Sequence, residues 1–186
     1  PVLTQHFHTL TLDNPVVASP DVGNIKFGSD FATRLGADLA VIDKRRLGAD
    51  RTRANRVVGN VDGASVMMFD DMITTAGTVC EAAKLLREYG AKEIHVSATH
   101  AVFAGPAVSR LTEAGFKQIV VTDTIPVSDE VRQKLTNLRV LSVAGLIGEA
   151  IRRIHEHRSI SELFQWDREK REQGAGGRQE ATGSRQ

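Results

Sequence analysis

Short apolar runs alternate with amphipathic segments along the chain, and their spacing predicts the elements. Val16–Ser19 reads as a brief apolar strand halted by Pro20. Asp21-Val22-Gly23-Asn24 reads as a turn, and Ile25–Leu35 as a helix. Leu39–Ile42 is a second strand; Asp43–Arg56 has almost no apolar content and reads as a loop, with extended structure resuming at Val57–Val58. Val66–Phe69 is apolar without interruption, as expected of a strand covered on both faces. Thr78–Tyr89 places Val79, Ala82, Ala83 and Leu86 on one helical face, and Gly90 ends it. Ile94–Ala98 is a strand, and Pro106–Ala114 is a helix closed by Gly115. Ile119–Val121 and Val140–Leu141 are strands, and Val143–His155 is the last long helix.

This alternation predicts an α/β fold: a mostly parallel sheet with helices on both faces. Ligands of such sheets bind beyond the carboxyl ends of the strands. Asp21, Lys44 and Asp70 each follow a strand, so the topology directs three chemical groups to one edge.

Composition changes the picture at the C-terminus. From Gln165 onward charged residues, Gly, Gln and Ser dominate, and such a segment cannot bury enough surface to offset its ordering entropy. The expected organisation is one domain over residues 1–164 and a disordered tail over 165–186. The chain begins at Pro1 rather than Met, as expected of a fragment or a processed product. No apolar run approaches a transmembrane length, so no membrane association is expected. The lone cysteine, Cys80, forbids an intrachain disulfide and fits a reducing cytoplasm. It lies in the first turn of a predicted helix, where a lowered pKa or a plain packed thiol are the two readings. A formal net charge of +1 predicts no polyanion partner such as nucleic acid.

Three strings carry candidate chemistry. The first is Val66–Thr78, a strand ending in paired carboxylates, then a loop of small and hydroxylated residues, then a helix. Asp70 and Asp71 can accept hydrogen bonds from a sugar diol or hold a hydrated Mg²⁺. Thr74, Thr75 and Thr78 supply hydroxyls, while Ala76 and Gly77 let backbone N–H groups approach an anion. The positive end of the next helix adds to the attraction, which suits a phosphorylated sugar. The plainer reading, aspartates that only cap a helix, needs fewer acids than are present.

The second string is Asp43-Lys44-Arg45-Arg46, with arginines again at 51, 53 and 56. A solvated surface and a nucleic-acid patch are the generic readings; its place after a strand on the ligand edge favours a polyphosphate clamp, on a loop long enough to be mobile. The third is Ser19-Pro20-Asp21-Val22-Gly23-Asn24, whose turn amides can bind pyrophosphate and whose Asp21 can hold Mg²⁺, although Pro-Asp-x-Gly alone is also a common turn. His6 with His8, and His155 with His157, are two residues apart and would diverge on a helix, so neither pair predicts a metal site. His100 ends a strand on the ligand edge, and a hydrogen-bonded structural role is expected for it.

Residues 66–78 resemble the phosphoribosyl-binding loop of the phosphoribosyltransferase fold. With the other two strings, in this order and spacing, the chain resembles the C-terminal half of the ribose-phosphate diphosphokinase family, from about Pro1 to Phe164. Ala98-Thr99-His100, Asp123-Thr124-Ile125-Pro126 and Ser159-Ile160-Ser161-Glu162-Leu163-Phe164 agree with it. The resemblance implies a phosphoribosyltransferase type I-like fold and a transferase that moves the diphosphoryl group of ATP to the 1-hydroxyl of ribose 5-phosphate. The products are PRPP and AMP, and Mg²⁺ is the cofactor. It further implies that Asp70, Asp71, Thr74, Thr75, Ala76, Gly77 and Thr78 hold ribose 5-phosphate, and that Lys44 and Arg46 are catalytic. Asp21 would help hold Mg²⁺, Asp21, Val22, Gly23 and Asn24 would face pyrophosphate, and Ser159 and Ser161 would be regulatory. A homo-oligomer is expected on the same ground. Asn24 stands where many members have glycine, Thr74 where many have Asp, and Ala76 where many have Gly. A PRPP-using phosphoribosyltransferase and a non-catalytic regulatory subunit are the alternative readings, and the isolated chain is expected to be inactive.

Overall fold

The structure, a computed structural model, describes residues 1–20, 23, 25–46 and 53–164, with the backbone only at 44–46 and 53–55. It comprises two compact units, Pro1–Gly145 and a second starting at Leu146. The elements in order are α1 (Val2–His8), β1 (Pro15–Ser19), α2 (Ile25–Leu35), β2 (Asp38–Arg46), β3 (Arg53–Val58), β4 (Ser65–Ile73) and α3 (Gly77–Glu88). They continue with β5 (Glu93–Ala101), α4 (Ala107–Ala114), β6 (Gln118–Thr122), α5 (Asp129–Lys134), β7 (Leu138–Leu141), α6 (Ala144–His155) and a 3₁₀ turn (Ser161–Phe164).

One seven-stranded sheet runs in the order β3-β2-β1-β4-β5-β6-β7. Every neighbouring pair is parallel except β2 with β3, which is antiparallel. From β1 the chain crosses to β2 on one side, and from β4 it proceeds through β5, β6 and β7 on the other. Right-handed crossovers that progress in opposite directions must lie on opposite faces. Accordingly, α1 and α2 bury Leu3, Phe7, Phe31 and Ala32 against Val17, Met67, Phe69 and Val120. On the other face α3 and α4 bury Val79, Ala82, Ala83, Leu86, Ala107 and Leu111 against Val16, Ala18, Val66, Met68, Ile94 and Val96. Adjacent strand residues thus supply opposite cores, which is why runs such as Val16–Ala18 and Val66–Phe69 are apolar at every position. The reversal of strand order falls between β1 and β4, and it opens a crevice at their carboxyl ends.

Three expectations are corrected. Asp43–Arg56 is not a loop throughout: Asp43 pairs with Arg56, Lys44 with Asn55 and Arg46 with Arg53, extending β2 and β3 as an antiparallel arm. Pairing satisfies that backbone while the sequence there is mostly charged and polar, so the apolar signal used to find strands is missing. Residues 47–52 lie outside the described residues. Second, the central strand does not stop at Phe69; β5 runs on beside it, pairing Met72 with His100 and Ile73 with Ala101, so both aspartates lie within β4. Third, α1 and α5 were not expected. α5 starts at Ser128, whose Oγ accepts from the Val131 N–H at 3.3 Å, and it buries none of its own residues. The tail expected over 165–186 lies outside the described residues.

Candidate functional site

Phe69 fixes the strand end that carries the acids. It stacks on Phe31 with ring centroids 3.8 Å apart and meets Phe7 edge-on at 5.2 Å. Asp70 follows, half-buried, and Asp71 is exposed. The Asp71 N–H donates to Asp70 Oδ1 at 2.9 Å, and the Met72 N–H donates to Asp71 Oδ1 at 2.7 Å. Successive strand residues point to opposite faces, so the two carboxylates do not act as one surface. Asp70 shares the α3 face with Met68, and it lines a cavity of ≈ 270 Å³ with Met72, Ile73, Thr74, Thr75, Ala76, Gly77, Thr78 and Val79. Asp71 does not line that cavity.

The loop after β4 has its carbonyls turned away. Ile73 O accepts from the Phe103 N–H at 3.0 Å and Thr74 O from the Ala104 N–H at 2.8 Å. Thr75 O accepts from Arg110 Nη1 at 3.0 Å. In a trans peptide the C=O and the following N–H point in opposite directions, so the amides of Thr74, Thr75 and Ala76 face away from that brace. Ala76 takes the left-handed region, φ 60°, as the N-cap of α3, and no side chain caps the helix. The first N–H groups of α3 therefore have no partner within their own helix and present its positive end beside the cavity. A loop of this form can bind a phosphate through backbone donors, with a carboxylate at one side for neighbouring hydroxyls.

The other sequence-derived residues distribute as follows. Ser19, the last residue of β1, is level with Val41 of β2, so Lys44 lies on the arm that passes the end of β1, about 10 Å further on. Lys44 and Arg46 are in β2, next to the crevice-forming β1; their side chains are outside what is described. Gly23 is exposed, while Asp21, Val22 and Asn24 lie outside the described residues. In the second unit Arg153 Nη1 donates to Ser159 O at 2.9 Å and to Glu162 Oε2 at 2.6 Å, and the Ser161 N–H donates to Ser159 Oγ at 3.2 Å. His100 Nδ1 pairs with Thr124 Oγ1 at 2.9 Å, His6 Nε2 with Gln118 Oε1 at 3.0 Å, and His8 Nε2 with Arg34 O at 3.0 Å. Burial pushes the Cys80 thiol above its ordinary pKa, and its Sγ lies 3.6 Å from Arg110 O, so it is a packed thiol.

Phe103, Ala104 and Arg110 were not singled out from sequence. A backbone N–H is carried by every residue except proline, so the first two leave no compositional trace. Arg110 becomes visible only when α4 is laid beside α3. Among the described residues no three His, Cys, Asp or Glu side chains converge as a metal cage. Magnesium usually takes one or two carboxylates together with substrate phosphates and water, and the hard oxygens of Asp70 and Asp71 beside a phosphate-ready loop suit that arrangement. No described helix is long and apolar enough to cross a membrane.

Residues 49–165 match the family model of the phosphoribosyl synthetase-associated domain. The chain is 52% identical over 167 residues to a ribose-phosphate pyrophosphokinase of Rhodopirellula baltica, a match covering 88% of this chain and 52% of that relative. It is 48% identical over 166 residues to one of Parasynechococcus marenigrum, covering 88% and 50%. The crystal structure of phosphoribosylpyrophosphate synthetase from Mycobacterium smegmatis superposes with a TM-score of 0.71 at 39% identity, over 83% of this chain and 48% of that one. The chain spans about half the length of the curated relatives it matches. On these matches the chain belongs to the phosphoribosyl synthetase-associated domain family.

Proposed function

We propose that this chain is the sugar-phosphate half of a ribose-phosphate diphosphokinase, in a parent protein that transfers the diphosphoryl group of ATP to the 1-hydroxyl of ribose 5-phosphate and releases PRPP and AMP. The observation that carries this reading is the run of three turned-away carbonyls, Ile73 to Thr75, which leaves a row of amides beside the Asp70 cavity. The names of the relatives support the same chemistry.

In this reading the amides of residues 74–78 take the 5-phosphate and Asp70 accepts from the ring hydroxyls, which fixes the sugar at both ends. Asp71, exposed at the rim, is left for a second hydroxyl or for an ion. The arm of β2 brings Lys44 and Arg46 from the neighbouring side of the crevice, where cations stabilise the charge that develops on a transferring phosphoryl group. Mg²⁺, which Asp21 would help hold with the phosphates, would supply further charge neutralisation when bound. The parent is proposed to be a homo-oligomer, which light scattering on the purified protein would establish.

Titration calorimetry with ribose 5-phosphate tests the site. Asp70→Asn should weaken binding by about tenfold, the loss of one charge-assisted contact. Inorganic phosphate should compete with the sugar phosphate. Unchanged affinity in Asp70→Asn together with no competition would reject this placement.

A further inference from the structure

Of the three bonds that turn the loop carbonyls outward, two come from backbone amides and one from a side chain. The backbone donors survive most substitutions. Arg110 is therefore the one link in the brace that the sequence can make or withhold.

Its bond falls where the loop needs it. Thr75 O belongs to the same peptide unit as the Ala76 N–H, so holding one direction holds the other. Ala76 follows at φ 60°, a region L-residues rarely adopt, so local preference does not favour this geometry. Arg110 Nη1 also stands 3.3 Å from the place a Cβ on Gly77 would occupy. The guanidinium thus lies against the first turn of α3, within reach because residue 77 has no side chain. One N–H stays on the carbonyl while the cation's charge remains directed at the loop.

We propose that Arg110 is a positioning residue for the bound phosphate: it fixes the Thr75–Ala76 peptide so that the Ala76 N–H faces the anion, and it adds positive charge behind the phosphate loop. This rests on the reading of residues 74–78 as the ribose 5-phosphate site. Arg110 need not touch the ligand. It acts through the peptide it holds.

The test is calorimetry on the full chain with ribose 5-phosphate and, separately, inorganic phosphate, alongside thermal melts and the amide NMR signal of Ala76. Arg110→Ala should weaken both ligands by about tenfold, the scale of one hydrogen bond from a charged donor. The ligand-induced shift of the Ala76 amide should shrink with it. Arg110→Lys should recover most of the affinity, and Arg110→Gln, which keeps a donor but no charge, should fall between. Should Arg110→Ala fail to fold, the Lys and Gln variants decide alone, by the same ordering. Wild-type affinity in the Ala or Gln variant overturns the inference. So does a Lys variant as weak as Ala whose melting point falls in parallel, because that marks a purely structural bond. If the unsubstituted chain binds neither ligand, the sugar-phosphate reading itself fails, and the Arg110 role falls with it.

Discussion

Ala76 shows how one residue can couple the core to the site. Its backbone lies in the left-handed region while its methyl is 5% exposed within the core on the α3 face. Glycine would remove the strain but would also empty the methyl's place and loosen the unfolded chain, so those effects nearly offset. Valine has no such balance: a β-branched side chain is a genuine outlier at this φ and also overfills the pocket. Ala76→Val should therefore lose about 2–4 kcal/mol in urea unfolding, and phosphate binding should weaken with it. His95 sets a second residue-scale expectation. It is 4% exposed, packs edge-on to Phe7, and neither ring nitrogen has a hydrogen-bond partner. Burial pushes its pKa below the ordinary value; Glu93, whose Oε1 is 3.6 Å away, pulls upward, and Lys117 and His6 push down. The unfolded chain then binds a proton, near the ordinary histidine value of about 6.5, that the folded chain refuses. Stability should fall as pH drops from there through the lowered folded value, with no loss from this group above it. His95→Leu should flatten that stretch of a Tm-against-pH curve; an unchanged slope would assign the acid sensitivity elsewhere.

At the scale of elements, the arm formed by β2 and β3 gives the sharpest functional expectation. It carries the Lys44 backbone past the end of β1, beside the crevice where the proposed reaction would place the transferring group. In the complete protein Lys44→Ala should lower turnover by about 10²–10³, the usual cost of one transition-state contact, with the melting point nearly unchanged. A large fall in melting temperature at normal turnover would make Lys44 part of the arm's scaffold instead. The same arm marks what the sequence hides. α2 is legible to its ends, Ile25 and Leu35, because Phe31 and Ala32 must face a core at helical spacing. Val16, Val66 and Val96 betray their strands for the same reason. Beyond Ile42 and before Val57 the arm's sequence is mostly charged and polar, so only its ladder reveals it. α5 also buries none of its residues, although Ser128 followed by Asp129 and Glu130, with Arg132 and Lys134 behind, is a readable start and stop signal. In the site, Asp70 and the hydroxylated loop are legible because their chemistry lies in the side chains. The brace from Phe103 and Ala104 is not, because it lies in the backbone. Adjacency in sequence also misleads: Asp70 and Asp71 are neighbours in the chain, but only Asp70 lines the cavity.

On the proposed function the whole molecule supplies one side of a reaction. A cavity, a phosphate loop and an acid sit on the β4 side of the crevice, and the cationic arm sits beyond β1. On the proposed function those features would take a sugar phosphate and a transferring group. The chain spans about half the length of relatives named as pyrophosphokinases. Binding and turnover should therefore separate. The isolated chain should bind ribose 5-phosphate, because the loop, its brace and Asp70 all belong to the unit Pro1–Gly145. It should release AMP from ATP nearly or wholly undetectably, because positioning the sugar without the nucleotide leaves the two reactants unaligned, and alignment is worth about 7–11 kcal/mol of barrier. The complete protein should do both. Calorimetry and a coupled assay for AMP, run on the two forms side by side, distinguish the cases. Robust turnover by the isolated chain would mean that this half also gathers the nucleotide. Failure of the isolated chain to bind the sugar phosphate would reject the sugar-phosphate reading of the loop.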